Sequence, residues 1–191
     1  YLKNKDINYK LPGTLKKIFD FEFWIDSDNR NESFPLFNSE QYLSTDIRSK
    51  RINFLSVSIS DLSEELLSKI SDDDKCVIVL NTSNEHAMAE LRRAFIELIN
   101  KQINAPVIIK RNYENTDDGK LMLFSATDIG GLLLDGLGDG VWIDSDKANL
   151  KTTNSISFGI LQATRTRISR TEYISCPSCG RTLFDLQVTT S

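Results

Sequence analysis

Cys76-Val77-Ile78-Val79-Leu80-Asn81-Thr82-Ser83-Asn84-Glu85-His86-Ala87-Met88-Ala89-Glu90-Leu91-Arg92-Arg93-Ala94-Phe95-Ile96-Glu97-Leu98 is the stretch on which the fold turns. Its first five residues form a nearly continuous apolar run, the pattern of a strand covered on both faces. Thr82 with Glu85 three residues on predicts a capping box. Met88, Leu91, Phe95 and Leu98 follow at offsets of three and four, which puts them on one helix face as core residues. The unit therefore reads strand, then helix.

The same grammar extends to both sides. Upstream, Ile52 to Ile59 is rich in β-branched and aromatic residues and predicts a strand. Ser60-Asp61 then caps a helix whose apolar stripe is Leu62, Leu66, Leu67 and Ile70. Downstream, Ala105 to Ile109 predicts a third strand, with Pro106 tolerated at its start. Lys110 to Lys120 reads as a charged loop, and Leu121-Met122-Leu123-Phe124 as a fourth strand. A short helix over Gly130 to Leu134 is stopped at Gly136. Val141-Trp142-Ile143 is a fifth strand, and Asn154 or Ser155 caps a helix through Ile156, Ile160 and Leu161. Thr171 to Ser175 is a last strand, which delivers Cys176. Crossovers of a dozen residues or more demand parallel pairing in βαβ units. The class is α/β, and both an open sheet and an incomplete barrel fit.

The flanking regions are less regular. Residues 1–50 are polar and loosely patterned; Phe21 and Phe23 alternate with Glu22 in a segment suited to one short strand or a packed arm. The boundaries expected are an irregular segment over 1–50, the α/β domain over 51–168 and a separate element from 169 to 191. The chain opens at Tyr1 with neither Met nor signal peptide, so an excised segment is expected.

Composition narrows the function. The 191 residues are 40% hydrophobic and 26% charged, with a net charge of −4. No apolar run approaches the ~18 residues that span a bilayer. An acidic total without a basic block excludes the clustered cations that grip nucleic acid. Three cysteines, an odd number, fit a reducing cytoplasm better than a disulfide framework.

Two motifs carry candidate chemistry. Cys176-Pro177-Ser178-Cys179-Gly180 presents two thiolates three residues apart on a tight turn, suited to one edge of a cluster or half of a zinc site. Cys76, inside an apolar run, reads as a buried strand residue, and His86, with no clustered partners, as a poor ligand. Gly136-Leu137-Gly138-Asp139-Gly140 resembles a phosphate cradle but follows a helix and precedes a strand, the wrong polarity for one. It reads as a helix stop and a tight turn. No catalytic residue is assigned.

Taken together, Gly130 to Gly140 and Arg165 to Gln187, the latter with Cys176 and Cys179 at its centre, resemble the hydroxymethylbutenyl diphosphate synthases of isoprenoid biosynthesis. The likeness is dense over about the last sixty residues and looser from Ile52 to Phe124. It is nearest to the long, plant-type form, in which a degenerate relative of the catalytic TIM barrel lies between that barrel and the cluster domain. The resemblance implies an incomplete or degenerate TIM-barrel-like domain followed by the start of the cluster domain. It also implies membership of an oxidoreductase that converts methylerythritol cyclodiphosphate to hydroxymethylbutenyl diphosphate. Such an enzyme uses a [4Fe–4S] cluster held by three Cys and one Glu, a ferredoxin or flavodoxin as electron donor, and a homo-oligomeric assembly. Cys176 and Cys179 match the first two cluster ligands. Where the family's catalytic barrel carries an Arg and a Ser against diphosphate, this chain has Trp142 or Ile143, and then Asp144. The piece alone is therefore expected to be an inactive scaffold. The alternative is a binding module with a zinc knuckle at Cys176 and Cys179.

Overall fold

The computed structural model describes residues 13, 15–27 and 30–172. Among these, six strands form one sheet: β1 (Lys17–Asp20), β2 (Ser33–Phe37), β3 (Asn53–Val57), β4 (Cys76–Asn81), β5 (Val107–Tyr113) and β6 (Gly140–Ser145). Every pairing is parallel and the spatial order is the chain order, β1 to β6. Sequential winding is the barrel type of α/β architecture. Because each parallel crossover has the same hand, every helix falls on the same side of the sheet. The sheet curls away from the helices into a half-barrel, an incomplete TIM-barrel-like domain.

The helices are α1 (Phe21–Ile25), α2 (Ser39–Ser44), α3 (Glu64–Ser71), α4 (Ala87–Asn100), α5 (Asp118–Ser125), α6 (Gly131–Leu134) and α7 (Leu150–Ala163). The main core lies between them and the outer face of the sheet: Leu55 and Val57 from β3, Ile78 and Leu80 from β4, and Ile109 from β5 meet Leu66, Ile70, Leu91 and Leu98. On the inner face, a smaller cluster joins Phe34, Leu36, Phe54 and Val79, with Ile18, Ile108 and Trp142 packed beside it. Alternation along each strand makes these two sets possible.

The structure differs from the sequence reading in several places. Residues 17–44, loosely patterned to the eye, carry two strands and two helices of the sheet. Pro35 disguises β2, but the β2–β3 pairing begins only at Leu36, so its missing N–H is tolerated. Phe21 and Phe23 lie on helix α1 and not in a strand. Leu121 to Phe124, read as a strand, is helical: Asp117 accepts from the Lys120 N–H and starts α5. The fourth unit is thus a helix, and β5 runs on through Lys110 to Tyr113, where a loop was expected. Thr82 caps nothing; its hydroxyl donates to the Glu90 carboxylate at 2.8 Å, and α4 begins after His86 without a side-chain cap. Asn149, and not Asn154 or Ser155, caps α7.

Between α5 and α6 the chain makes a π-helical turn over Ala126–Gly130. The wider turn turns Ile129 and Gly130 inward, each fully or nearly fully buried. A side chain at Gly130 would meet Ile160 and Thr164 of α7 in ordinary contact.

Candidate functional site

In a parallel barrel the chemistry sits at the C-terminal ends of the strands, so the inner face there is the first place to look. Register places Ser56 beside Val79, Asn81 beside Lys110, Lys110 beside Trp142, and Asn112 beside Asp144. The inner face therefore changes from apolar near the strand starts to polar at their ends. Asn81 donates to the Ser56 hydroxyl at 3.0 Å and to the Val57 carbonyl at 2.9 Å. The Lys110 ammonium stands 4.7 Å from the centre of the Trp142 ring, a cation–π pair. Trp142 and Asp144 also line an open cavity of about 790 Å³ between β6 and α7. One indole, one carboxylate and two amides line this mouth with a single lysine, which is a poor receptor for a diphosphate.

The Gly-rich turn before β6 has a structural occupation. Gly136 and Gly138 have φ of +76° and +93°, and a Cβ at Gly138 would come within 2.8 Å of Ile109. Asp139 then clasps β5 twice: its N–H donates to the Val107 carbonyl at 2.7 Å, and its carboxylate accepts from the Val107 N–H at 2.8 Å. Leu137 N–H closes onto the Leu132 carbonyl at 2.9 Å, the signature of a glycine-stopped helix. The turn sets the start of β6 against β5, and its carboxylate repels a phosphate.

Cys176 and Cys179 lie outside the described residues, as does most of the strand expected over Thr171 to Ser175. Among the described residues no group of three or more His, Cys, Asp or Glu could hold a metal ion. Cys76 is 1% exposed on the outer face of β4. Burial, the largest influence, pushes its thiol up to about 11, while a hydrogen bond with Tyr42 opposes this. Tyr42 donates to Asp73 at 2.8 Å, and the Arg48 guanidinium lies 3.7 Å over its ring. This is a structural knot holding α2 against β4. His86 is exposed.

Sequence reasoning missed one buried ionic cluster. Arg111, 8% exposed on β5, donates from Nε to Asp128 at 3.1 Å and from Nη1 to the Thr82 carbonyl at 2.5 Å. Tyr113 donates to the same Asp128 oxygen at 3.0 Å. Burial, reinforced by the Asp128 charge, holds the Tyr113 phenol above its usual range. The period-2 polarity of β5 is the signal that exposed it: Arg111 falls on the face of Val107 and Ile109. The cluster sits on the helix side of the sheet, away from the inner mouth, so its role is to fix the π turn.

No protein-family model matches the chain. Among curated proteins, a 4-hydroxy-3-methylbut-2-en-1-yl diphosphate synthase (flavodoxin) of Parabacteroides distasonis is 38% identical over 179 residues, 94% of this chain and 29% of its own length. The protein of the same name in Porphyromonas gingivalis is 42% identical over 149 residues, 78% of this chain and 26% of its own. The chain belongs to this synthase family. A chloroplastic, ferredoxin-named synthase of Arabidopsis thaliana is 45% identical over 97 residues, half of this chain and 13% of its own. The chain spans less than a third of the length of the curated relatives it matches. Within the synthases it thus corresponds to a part, and the fold identifies that part as a parallel half-barrel. Among the described residues no helix is long and apolar enough to cross a membrane.

Proposed function

We propose that this chain is a non-catalytic part of an iron–sulfur oxidoreductase that converts methylerythritol cyclodiphosphate to hydroxymethylbutenyl diphosphate in isoprenoid biosynthesis. The observation that carries this reading is the inner mouth at β6: where a diphosphate needs cations and neutral donors, the strand offers Trp142 and Asp144. The half-barrel acts as a scaffold. Its rigid sheet fixes the position from which Cys176 and Cys179, at the start of a cluster domain over 169–191, contribute two ligands to a [4Fe–4S] cluster.

The donor chemistry supports that assignment in part. Two thiolates on a Pro-Gly turn suit one edge of a cluster. Cys76 is no substitute for a third ligand, because its buried thiol is held protonated on the opposite face of the sheet. The cluster, when bound, supplies the electrons of the reductive ring opening. What this chain adds is placement, on which an active site shared between domains depends. The relatives' names point to flavodoxin or ferredoxin as electron donor, and a cytoplasmic, homo-oligomeric enzyme fits the composition.

Isothermal titration of this chain with methylerythritol cyclodiphosphate tests the reading. The expected trace is flat. A saturable heat of binding at one site per chain overturns it.

A further inference from the structure

We propose that the groove beside β6 seats two further parallel strands, each carrying a helix, contributed by polypeptide outside this sequence, so that the half-barrel closes at eight strands. The inference stands on strand order and cavity shape; it does not depend on the chain being non-catalytic.

Three observations carry it. The six strands follow one another in chain order, all parallel, with β1 and β6 outermost among the described residues. One cavity of about 790 Å³ is lined by Ile18 of β1 together with Ile108 and Trp142 of β5 and β6. The curl has therefore brought the first and last strands to opposite sides of one gap. Beyond β6, helix α7 also lines that gap, with Leu150, Phe158 and Leu161. Leu150 is 88% exposed, an apolar face with nothing described against it. A helix that reaches past its own strand is shaped to cover a neighbour.

Barrel geometry fixes the number. Eight parallel strands give an interior that side chains just fill, in layers of bulky apolar residues. The inner face here already supplies such layers, from Ile18 through Phe34, Phe54 and Val79 to Ile108. Six strands leave room for two, at about 4.8 Å each. A second copy would bring six strands and its own helices to a gap sized for two, so it is a poor occupant. The Parabacteroides distasonis relative has the means to supply the strands in the same polypeptide, since this chain covers 29% of it. The occupants should be short, two-sided apolar strands, because they are covered by the barrel interior within and by helices without.

Amide hydrogen exchange, measured on wild-type proteins, tests this without any variant that could fail to fold. In this chain alone, amides of Gly140–Ser145 should exchange at least about a hundredfold faster than those of the interior strand Cys76–Asn81. In the full-length Parabacteroides distasonis synthase, the segments matching these two strands should exchange at similar rates. Fast exchange of the β6 match in the full-length protein overturns the proposal. So does slow exchange of β6 in this chain alone: if concentration-dependent, a second copy fills the groove, and if not, the chain's own termini do. None of these readouts involves substrate, so they are independent of the titration above.

Discussion

Removing the Asp128 carboxylate should be the most damaging single polar change in the described structure. Arg111 keeps one partner, the Thr82 carbonyl, but loses the only negative charge recorded against its buried guanidinium. Tyr113 loses its acceptor in the same step. Breaking a buried pair by removing one partner costs about 3–5 kcal/mol, since the surviving charge stays desolvated. The Asp128 side chain is 16% exposed, and Thr82 still holds Arg111, so the lower end, about 3 kcal/mol, applies to Asp128→Ala. For a chain of this size each kcal/mol moves the melting temperature by about 2–4 °C, which predicts a drop of roughly 6–12 °C. Far-ultraviolet circular dichroism against temperature, paired with urea unfolding, reads it out. The double variant Arg111→Leu with Asp128→Leu should regain most of the loss, because no charge is then left unpaired. A single-variant loss below about 1 kcal/mol, or a double variant no better than Asp128→Ala, would refute the assignment of a buried, mutually dependent pair.

Two more outcomes follow from the cysteines. The Cys76 thiol should resist a disulfide reagent at pH 8 in the native protein and react at once in denaturant. With a folded value near 11 against 9.0 for an ordinary thiol, its neutral form is favoured by folding. Its contribution is thus fully present below pH 9 and is lost as pH rises from about 9 towards 11; Cys76→Ala should flatten that part of the stability profile. Cys176 and Cys179 make half of a coordination shell, so zinc titrated into this chain against a chromophoric chelator should show no stoichiometric tight site. Such a site would favour the zinc-knuckle reading over the cluster.

The middle of the fold was legible because its residues obey one period at a time. Val77 to Leu80 and the Met88, Leu91, Phe95, Leu98 stripe are long enough to be unambiguous. Leu121-Met122-Leu123-Phe124 is not: a four-residue apolar run suits a strand or a helix, and here the Asp117 cap decides. Met122 is 57% and Leu123 61% exposed, so even their burial misleads. At the other end, β2 was hidden by Pro35, whose tolerance depends on a pairing that starts one residue later, a tertiary fact. The Arg111 cluster was missed for a related reason: a buried arginine is permitted only by a carboxylate that is 17 residues away in the chain. The Gly136 to Gly140 turn was readable as a helix stop from its polarity. Its clasp on Val107 was not, because the partner lies 32 residues earlier.

The π turn at Ala126–Gly130 carries a constraint on chain length as well as on residue type. Each residue added to or taken from a helix rotates everything after it by about 100°. Deleting one residue between Ser125 and Gly131 would restore a regular α-helix and swing the following Leu132 and Leu133 away from the core they now fill. A synthase one residue shorter at this point should therefore have exchanged the Arg111 and Asp128 pair for apolar side chains. Its helix would be straight, and Gly130 would no longer be the point at which α7 makes its close approach.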